Sequence, residues 1–355
     1  MLNSKTEALG IIFPNSYDAM VPELASERLM ASIPFASRYR MCDFILSSMV
    51  HSGIDNISII VRKNYHSLLD HLGAGREWDL VRKNGGLNIV PPFAQKQVKV
   101  FEGRIEALES LRGYLLKQPQ KYVIMTDANI AINFDFNELL DAHIKSGADV
   151  TMMYRKQEIP KAFIRQSRDR MDLYYALGMN GDRVSKIYIN PTEEGEMNFS
   201  MNIYVVEREF LINMIDDAYV HGHTYFVRDL LDKQIDRLDI RGFCYDGYVV
   251  NIHDTQSYFE ENMRLLQEEN LNALFSPNQI YTKIRDDNPT RYINGSKAKN
   301  VMVADGCVIE GEVENSVLFR GVHVGKGAKV KNMNSDREGA QVKTQYPENF
   351  KGLGQ

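Results

Sequence analysis

The 355 residues carry 44% apolar side chains, a formal net charge of −5 and a pI near 6.0. That apolar share suffices for extensive cores, whereas binding nucleic-acid phosphates takes a basic surface, and the Lys and Arg here are scattered, so nucleic acid is excluded as a partner. Cys42, Cys244 and Cys307 lie far apart without CxxC spacing, which excludes a disulfide framework and a zinc site and suits a reducing cytoplasm, and no apolar run approaches the roughly 20 residues of a membrane span.

From Ala8 to about Phe275 short apolar runs alternate with longer amphipathic stretches. "ALGIIF" predicts a buried strand, "RMCDFILSSMVHSG" a helix stopped by Gly53, "NISIIVR" a strand and "RIEALESLRGYLLKQ" a helix. "KYVIMTDA" then predicts a strand, "FNELLDAHIKSG" a one-sided helix stopped by Gly147, and "DVTMMYR" a strand. This βα alternation builds a mostly parallel sheet covered by helices.

The stretch 300–332 differs in kind. Val303, Val308, Val313, Val317, Val322 and Val330 recur about every five or six residues with Gly306, Gly311, Gly321, Gly325 and Gly327 between them. That is the hexapeptide signature of a left-handed parallel β-helix, with a few meandering strands as the plainer reading. The expected organisation is an α/β domain over 1–275, a linker over 276–299, a short β-helix of about two turns over 300–332 and a polar, aperiodic tail over 333–355. An open solenoid end leaves unpaired strand edges, which call for a cap.

In open α/β sheets ligands sit beyond the carboxyl ends of the strands. After "KYVIM" comes Asp127, well placed to hold Mg²⁺ against phosphates, since that ion takes one or two carboxylates and completes its octahedron with phosphate and water. The plainer reading is an Asp capping the next segment. The late strand "YVVNIHDT" brings Asn251, His253 and Asp254; a lone His is more often packed than a ligand and is given no role. The first turn, Pro14 to Asp18, holds no glycine where a phosphate cradle needs backbone amides unobstructed by side chains.

"RYRMCDFILSSMVHSGIDNI", "GAGREWDLVRKNGGLNIVPP", "LLDAHIKSGADVT", "FSMNIYVV" and "YFEENMRLL" occur in one order, and with them the chain from about Leu9 to Asn332 resembles the glucose-1-phosphate adenylyltransferases, or ADP-glucose pyrophosphorylases. The resemblance implies a Rossmann-like nucleotidyltransferase domain followed by a left-handed β-helix. The family's opening loop, G-G-x-G-x-R-L-x-x-L-T, falls on Asn15 to Ala25: Asn15, Ser16 and Asp18 stand in the former nucleotide loop, and the triphosphate arginine becomes Met20. The lysine of A-K-P becomes Met30, and that of E-K-P, which contacts the sugar phosphate, becomes Asn190. Of two metal-binding aspartates the first matches Asp127 and the second falls on Asn251, while the glycine of the sugar-site strand becomes Asn202. Trp78, Asp79, Gly85, Gly86, Pro91 and Pro92 match as loop architecture.

The expectation is a degenerate, regulatory subunit with no intact catalytic residue. It binds no cofactor tightly, takes Mg²⁺ only with residual nucleotide binding, stays in the cytoplasm and off membranes, and assembles with a catalytic subunit into a hetero-oligomer. Arg28 and Arg40 match basic residues that in the family meet phosphorylated effectors, and Arg38 lies beside them; together they form a candidate sugar-phosphate site or a solvated basic strip. The alternatives are an active adenylyltransferase using substitute residues, and a sugar-nucleotide or sugar-phosphate binding module without a partner. A hexapeptide acyltransferase is disfavoured, since two turns and a single His323 cannot build its site.

Overall fold

The computed structural model describes residues 7–92, 103–164, 173–193, 195–334 and 341–342. A nine-stranded sheet runs in the order Gly86–Val90, Asn56–Ile60, Ala8–Phe13, Tyr122–Asp127, Glu196–Glu207, Val150–Glu158, Ile240–Cys244, Arg183–Ile189 and Tyr175–Asn180. All strands point the same way except Glu196–Glu207 and Arg183–Ile189, each antiparallel to both neighbours. The mostly parallel sheet is therefore present, and its second half is mixed. The connection from Asn180 to Arg183, with Gly181 at φ 62, is too short for anything but a hairpin.

Every residue of Ala8–Phe13 is buried, the pattern of a central strand covered on both faces. On one face Leu9, Ile11, Val123 and Met125 pack with helices Arg104–Leu115 and Arg208–Val220. On the other, Ile12, Ile57 and Ile124 pack with helices Met41–His51 and Phe136–Ser146. A Cβ on Gly10 would lie 2.7 Å from Met49 Sδ, so glycine lets Met41–His51 lie close against the strand. Gly147 ends Phe136–Ser146 in the left-handed conformation, as expected, and donates its N–H to His143 O.

His143 is 3% exposed, its Nδ1 2.8 Å from Thr151 Oγ1 and its ring edge-on to Tyr122. Burial lowers its pKa from 6.5 to about 4. Between those values the unfolded chain takes up a proton that the folded chain refuses, so stability falls as pH drops through that window and rises again toward neutrality. The full effect is about 3 kcal/mol. Unfolding in urea from pH 4 to 7 is expected to show this slope, and His143→Gln to flatten it.

The second unit stacks parallel strands: Arg291–Tyr292, Val308–Ile309, His323–Val324 and Gln341–Val342 in one sheet, Lys297–Val303, Glu312–Leu318 and Lys329–Lys331 in another. Cys307, Ile309, Val313, Leu318, Val322, Val324, Ala328 and Val330 fill its interior. Val317 is buried as well, whereas Val303 and Val308 are half-buried. Stacking begins at Arg291, inside the segment read as a linker, and reaches Val342, inside the segment read as an aperiodic tail. Arg291 and Tyr292 are exposed and give no apolar signal, and the steps Arg291 to Val308, Val308 to His323 and His323 to Gln341 span 17, 15 and 18 residues, so the repeat is uneven. The rest of the tail, 335–340 and 343–355, lies outside the described residues.

Asn300, Asn315 and Asn332 occupy successive corners at φ 51, 44 and 53, a conformation asparagine tolerates. Val317 and Phe319 of the solenoid join Phe35, Phe44 and Tyr258 of the first unit in one apolar cluster, so the two units share a core.

Candidate functional site

The opening loop folds back on itself. Asp18 accepts the Met30 N–H at 2.7 Å and the Asn15 amide at 2.9 Å, Asn15 Oδ1 accepts the Arg62 N–H at 3.1 Å, and Ala31 N–H reaches Pro14 O at 3.2 Å. The Asp18 carboxylate thus serves as a staple within the loop. Met20 and Met30 are buried with Tyr17, Val21, Ala25 and Ile33. Met20 and Met30, which the resemblance sets against cations of the family, are here parts of an apolar core.

Tyr17 departs from an ordinary turn: it is a non-glycine residue at φ 65. Its ring packs edge-on against Phe163 at 5.3 Å, and its hydroxyl donates to Leu173 O at 3.1 Å while accepting from Asn202 Nδ2 at 2.9 Å. Burial, with Asp127 beside it, pushes the phenol well above its ordinary pKa, so it stays a donor.

Asp127 ends the strand Tyr122–Asp127 and is fully buried. Its Oδ1 accepts from Ser16 Oγ at 2.7 Å and from Arg104, and its Oδ2 accepts from Asn202 Nδ2 at 2.8 Å. Asn202 sits at φ 54 where the pairing with Val150–Glu158 shifts register, a left-handed position that suits the family's glycine and that asparagine also adopts. Its Oδ1 accepts from Tyr204 OH at 2.8 Å. Phe13, Asn15, Ser16, Tyr17, Arg104 and Asp127 are among the residues that enclose a cavity of about 140 Å³ here.

These residues do not fit Mg²⁺. Asp127 has both oxygens engaged and a guanidinium against it, and the second carboxylate position is Asn251, whose Oδ1 accepts from Asn129 Nδ2 at 3.1 Å. No step through a metal follows from this arrangement. Asp18, Met20, Met30, Asn190 and Asn251 do not line the cavity. Asn190 instead closes a turn at φ 48, exchanging backbone and side-chain bonds with Tyr174. Sequence reasoning passed over Arg104. Its one signal was position, directly after Gly103 at the start of an amphipathic stretch.

A second cavity, of about 280 Å³, lies where the two units meet and is lined by Arg38, Arg40, Lys283, Arg285 and Arg320 with Asp70 and His71. Arg38 and Arg40 are thus brought together with three cations more than 240 residues away in sequence, while Arg28 does not line the cavity. Lys283 pairs with Asp70 at 3.1 Å and Arg320, 7% exposed, with Asp287 at 2.7 Å; the Lys283 hydrogen bond holds the Asp70 carboxyl below its usual range. At the wall of this cavity His71 forms a buried trio with Cys42 and Asp43: His71 Nε2 lies 2.6 Å from Asp43 Oδ1, Cys42 Sγ lies 3.6 Å from the same oxygen, and the Arg40 N–H donates to Asp43 Oδ2 at 2.9 Å.

A mixed sheet with its cleft at the strand ends, joined to a hexapeptide solenoid, defines a class. Residues 23–268 match the nucleotidyl transferase family and residues 284–334 the GlmU-like C-terminal hexapeptide family, and the chain belongs to the nucleotidyl transferases. It is 33% identical over 329 residues to the glycogen biosynthesis protein GlgD of Bacillus subtilis (strain 168), covering 92% of this chain and 83% of that one. With the glycogen biosynthesis protein GlgD of Geobacillus stearothermophilus it shares 36% over 324 residues, 91% of this chain and 82% of that one. The glucose-1-phosphate adenylyltransferase of Geobacillus stearothermophilus is 29% identical over 336 residues, 92% of this chain and 84% of that one. Among the described residues no helix is long and apolar enough to cross a membrane.

Proposed function

We propose that this chain is the regulatory, non-catalytic subunit of an ADP-glucose pyrophosphorylase in glycogen biosynthesis, and that it activates or modulates a catalytic partner. The observation that carries this reading is Asp127, the one metal carboxylate retained, held by Arg104, Ser16 and Asn202 in a cavity of about 140 Å³. A nucleotide and its metal need a pocket of roughly 300 Å³ or more. With the fold kept and the chemistry lost, a subunit acts by binding the active conformation of its partner more tightly than the inactive one. We read its solenoid coils as left-handed and its setting as the cytoplasm.

Mixing this chain with a catalytic glucose-1-phosphate adenylyltransferase subunit tests the reading. The expected result is one larger species in light scattering and a changed rate or saturation curve for ADP-glucose formation. Separate elution with unchanged kinetics refutes it.

A second element of the proposal is a sugar-phosphate effector held between the two units. The cluster of Arg38, Arg40, Lys283, Arg285 and Arg320 around one cavity favours it, since guanidinium groups grip phosphate through paired N–H donors.

A further inference from the structure

We infer that Arg104 is a resident cation: its guanidinium holds the place beside Asp127 that a divalent metal would need, and so locks the cleft against metal and nucleotide together. This concerns the chain alone and stands whether or not a partner subunit exists.

Two observations carry it. Arg104 lies over the Phe13 ring at 4.7 Å from its centroid and over Tyr204 at 5.7 Å, so two aromatic faces and one carboxylate surround a single charge. The backbone also fixes the residue. A Cβ on Gly103 would meet Thr224 O at 2.3 Å, and Ile105 N–H donates to the same oxygen, so the start of helix Arg104–Leu115 is pressed against Thr224 and the side chain is delivered into the cleft.

Charge balance supplies the reason. A buried carboxylate needs a counter-charge. Where a family member with an open cleft can draw one from solvent with its nucleotide, this chain carries its own. A second cation brought to Asp127 would face the guanidinium at contact distance in a poorly screened interior.

The test compares melting temperatures of the full chain, Arg104→Ala and Arg104→Ala/Asp127→Asn, each with and without excess MgCl₂. The native chain is expected to be indifferent to Mg²⁺. Arg104→Ala is expected to melt about 5–10 °C lower, because removing one partner strands the other, and to recover most of that loss when Mg²⁺ is added. The double variant, with no carboxylate to neutralise, should recover without Mg²⁺ and ignore it. The inference is overturned if Arg104→Ala melts like the native chain or does not respond to Mg²⁺, if Mg²⁺ stabilises the native chain equally, or if the double variant is as unstable as the single one. Should Arg104→Ala fail to fold at all, a folded double variant supports the inference and an unfolded one overturns it.

Discussion

Incubated with ATP, glucose 1-phosphate and Mg²⁺, the isolated chain is expected to release no pyrophosphate above background. Nucleotidyl transfer asks the protein for alignment and for charge to balance what spreads over phosphate oxygens. Each lost preorganised donor costs roughly 10²- to 10³-fold. Here the Asp18 and Met20 amides donate within the loop, Met20 and Met30 lie in an apolar cluster, and Asp127 is bound to Arg104. Two such losses acting independently already slow the reaction by about 10⁴-fold or more. Met20→Arg with Asn251→Asp is expected not to restore turnover, because a guanidinium at position 20 would be stranded beside Tyr17, Val21 and Ile33, and because Asp127 remains engaged. Robust pyrophosphate release from the native chain, read by a coupled assay, is the result that sinks this.

Calorimetry with glucose 1-phosphate is expected to show binding that Arg38→Ala/Arg40→Ala weakens by about 10²- to 10⁴-fold, at roughly 1.5–3 kcal/mol for each charge-assisted contact removed. Both arginines line the interface cavity, with Lys283, Arg285 and Arg320 completing its basic wall. Arg28→Ala serves as the control and should bind as the native chain does, since Arg28 lies outside that lining. Equal affinity in the double variant would remove the cavity as the effector site. Affinity should also fall with added salt, because Arg38 is exposed and its charge is screened.

How much of this was legible in the sequence depended on the range of the interactions involved. The strands Ala8–Phe13, Asn56–Ile60 and Tyr122–Asp127 and the helices Met41–His51 and Arg104–Leu115 announce themselves through local periodicity, and each falls where it was expected, whereas the short helix His66–Leu72 went unread. The antiparallel insertion of Glu196–Glu207 was hidden, because nothing within a strand states which neighbour it will pair with or in which direction. The solenoid's limits were misjudged where its outer strand is polar and where its coils differ in length. At the cleft, the residues standing where the resemblance sets glycines and cations could be read position by position. Their partners could not: Arg104 reaches Asp127 across 23 residues and Asn202 across 75, contacts that only the closed sheet creates. The basic cavity was half visible for the same reason, with Arg38 and Arg40 in view and Lys283, Arg285 and Arg320 supplied by the distant second unit.

Asn202 shows how the lining of a cleft can change with the trace of the main chain undisturbed. Because asparagine accepts the left-handed torsions that suit glycine, the main chain at Asn202 carries no mark of the side chain it bears, although that amide reaches Asp127 inside the cleft. Geometric likeness between chains of this lineage is therefore silent about turnover, and sorting them into working and silent copies means inspecting side chains at a handful of places.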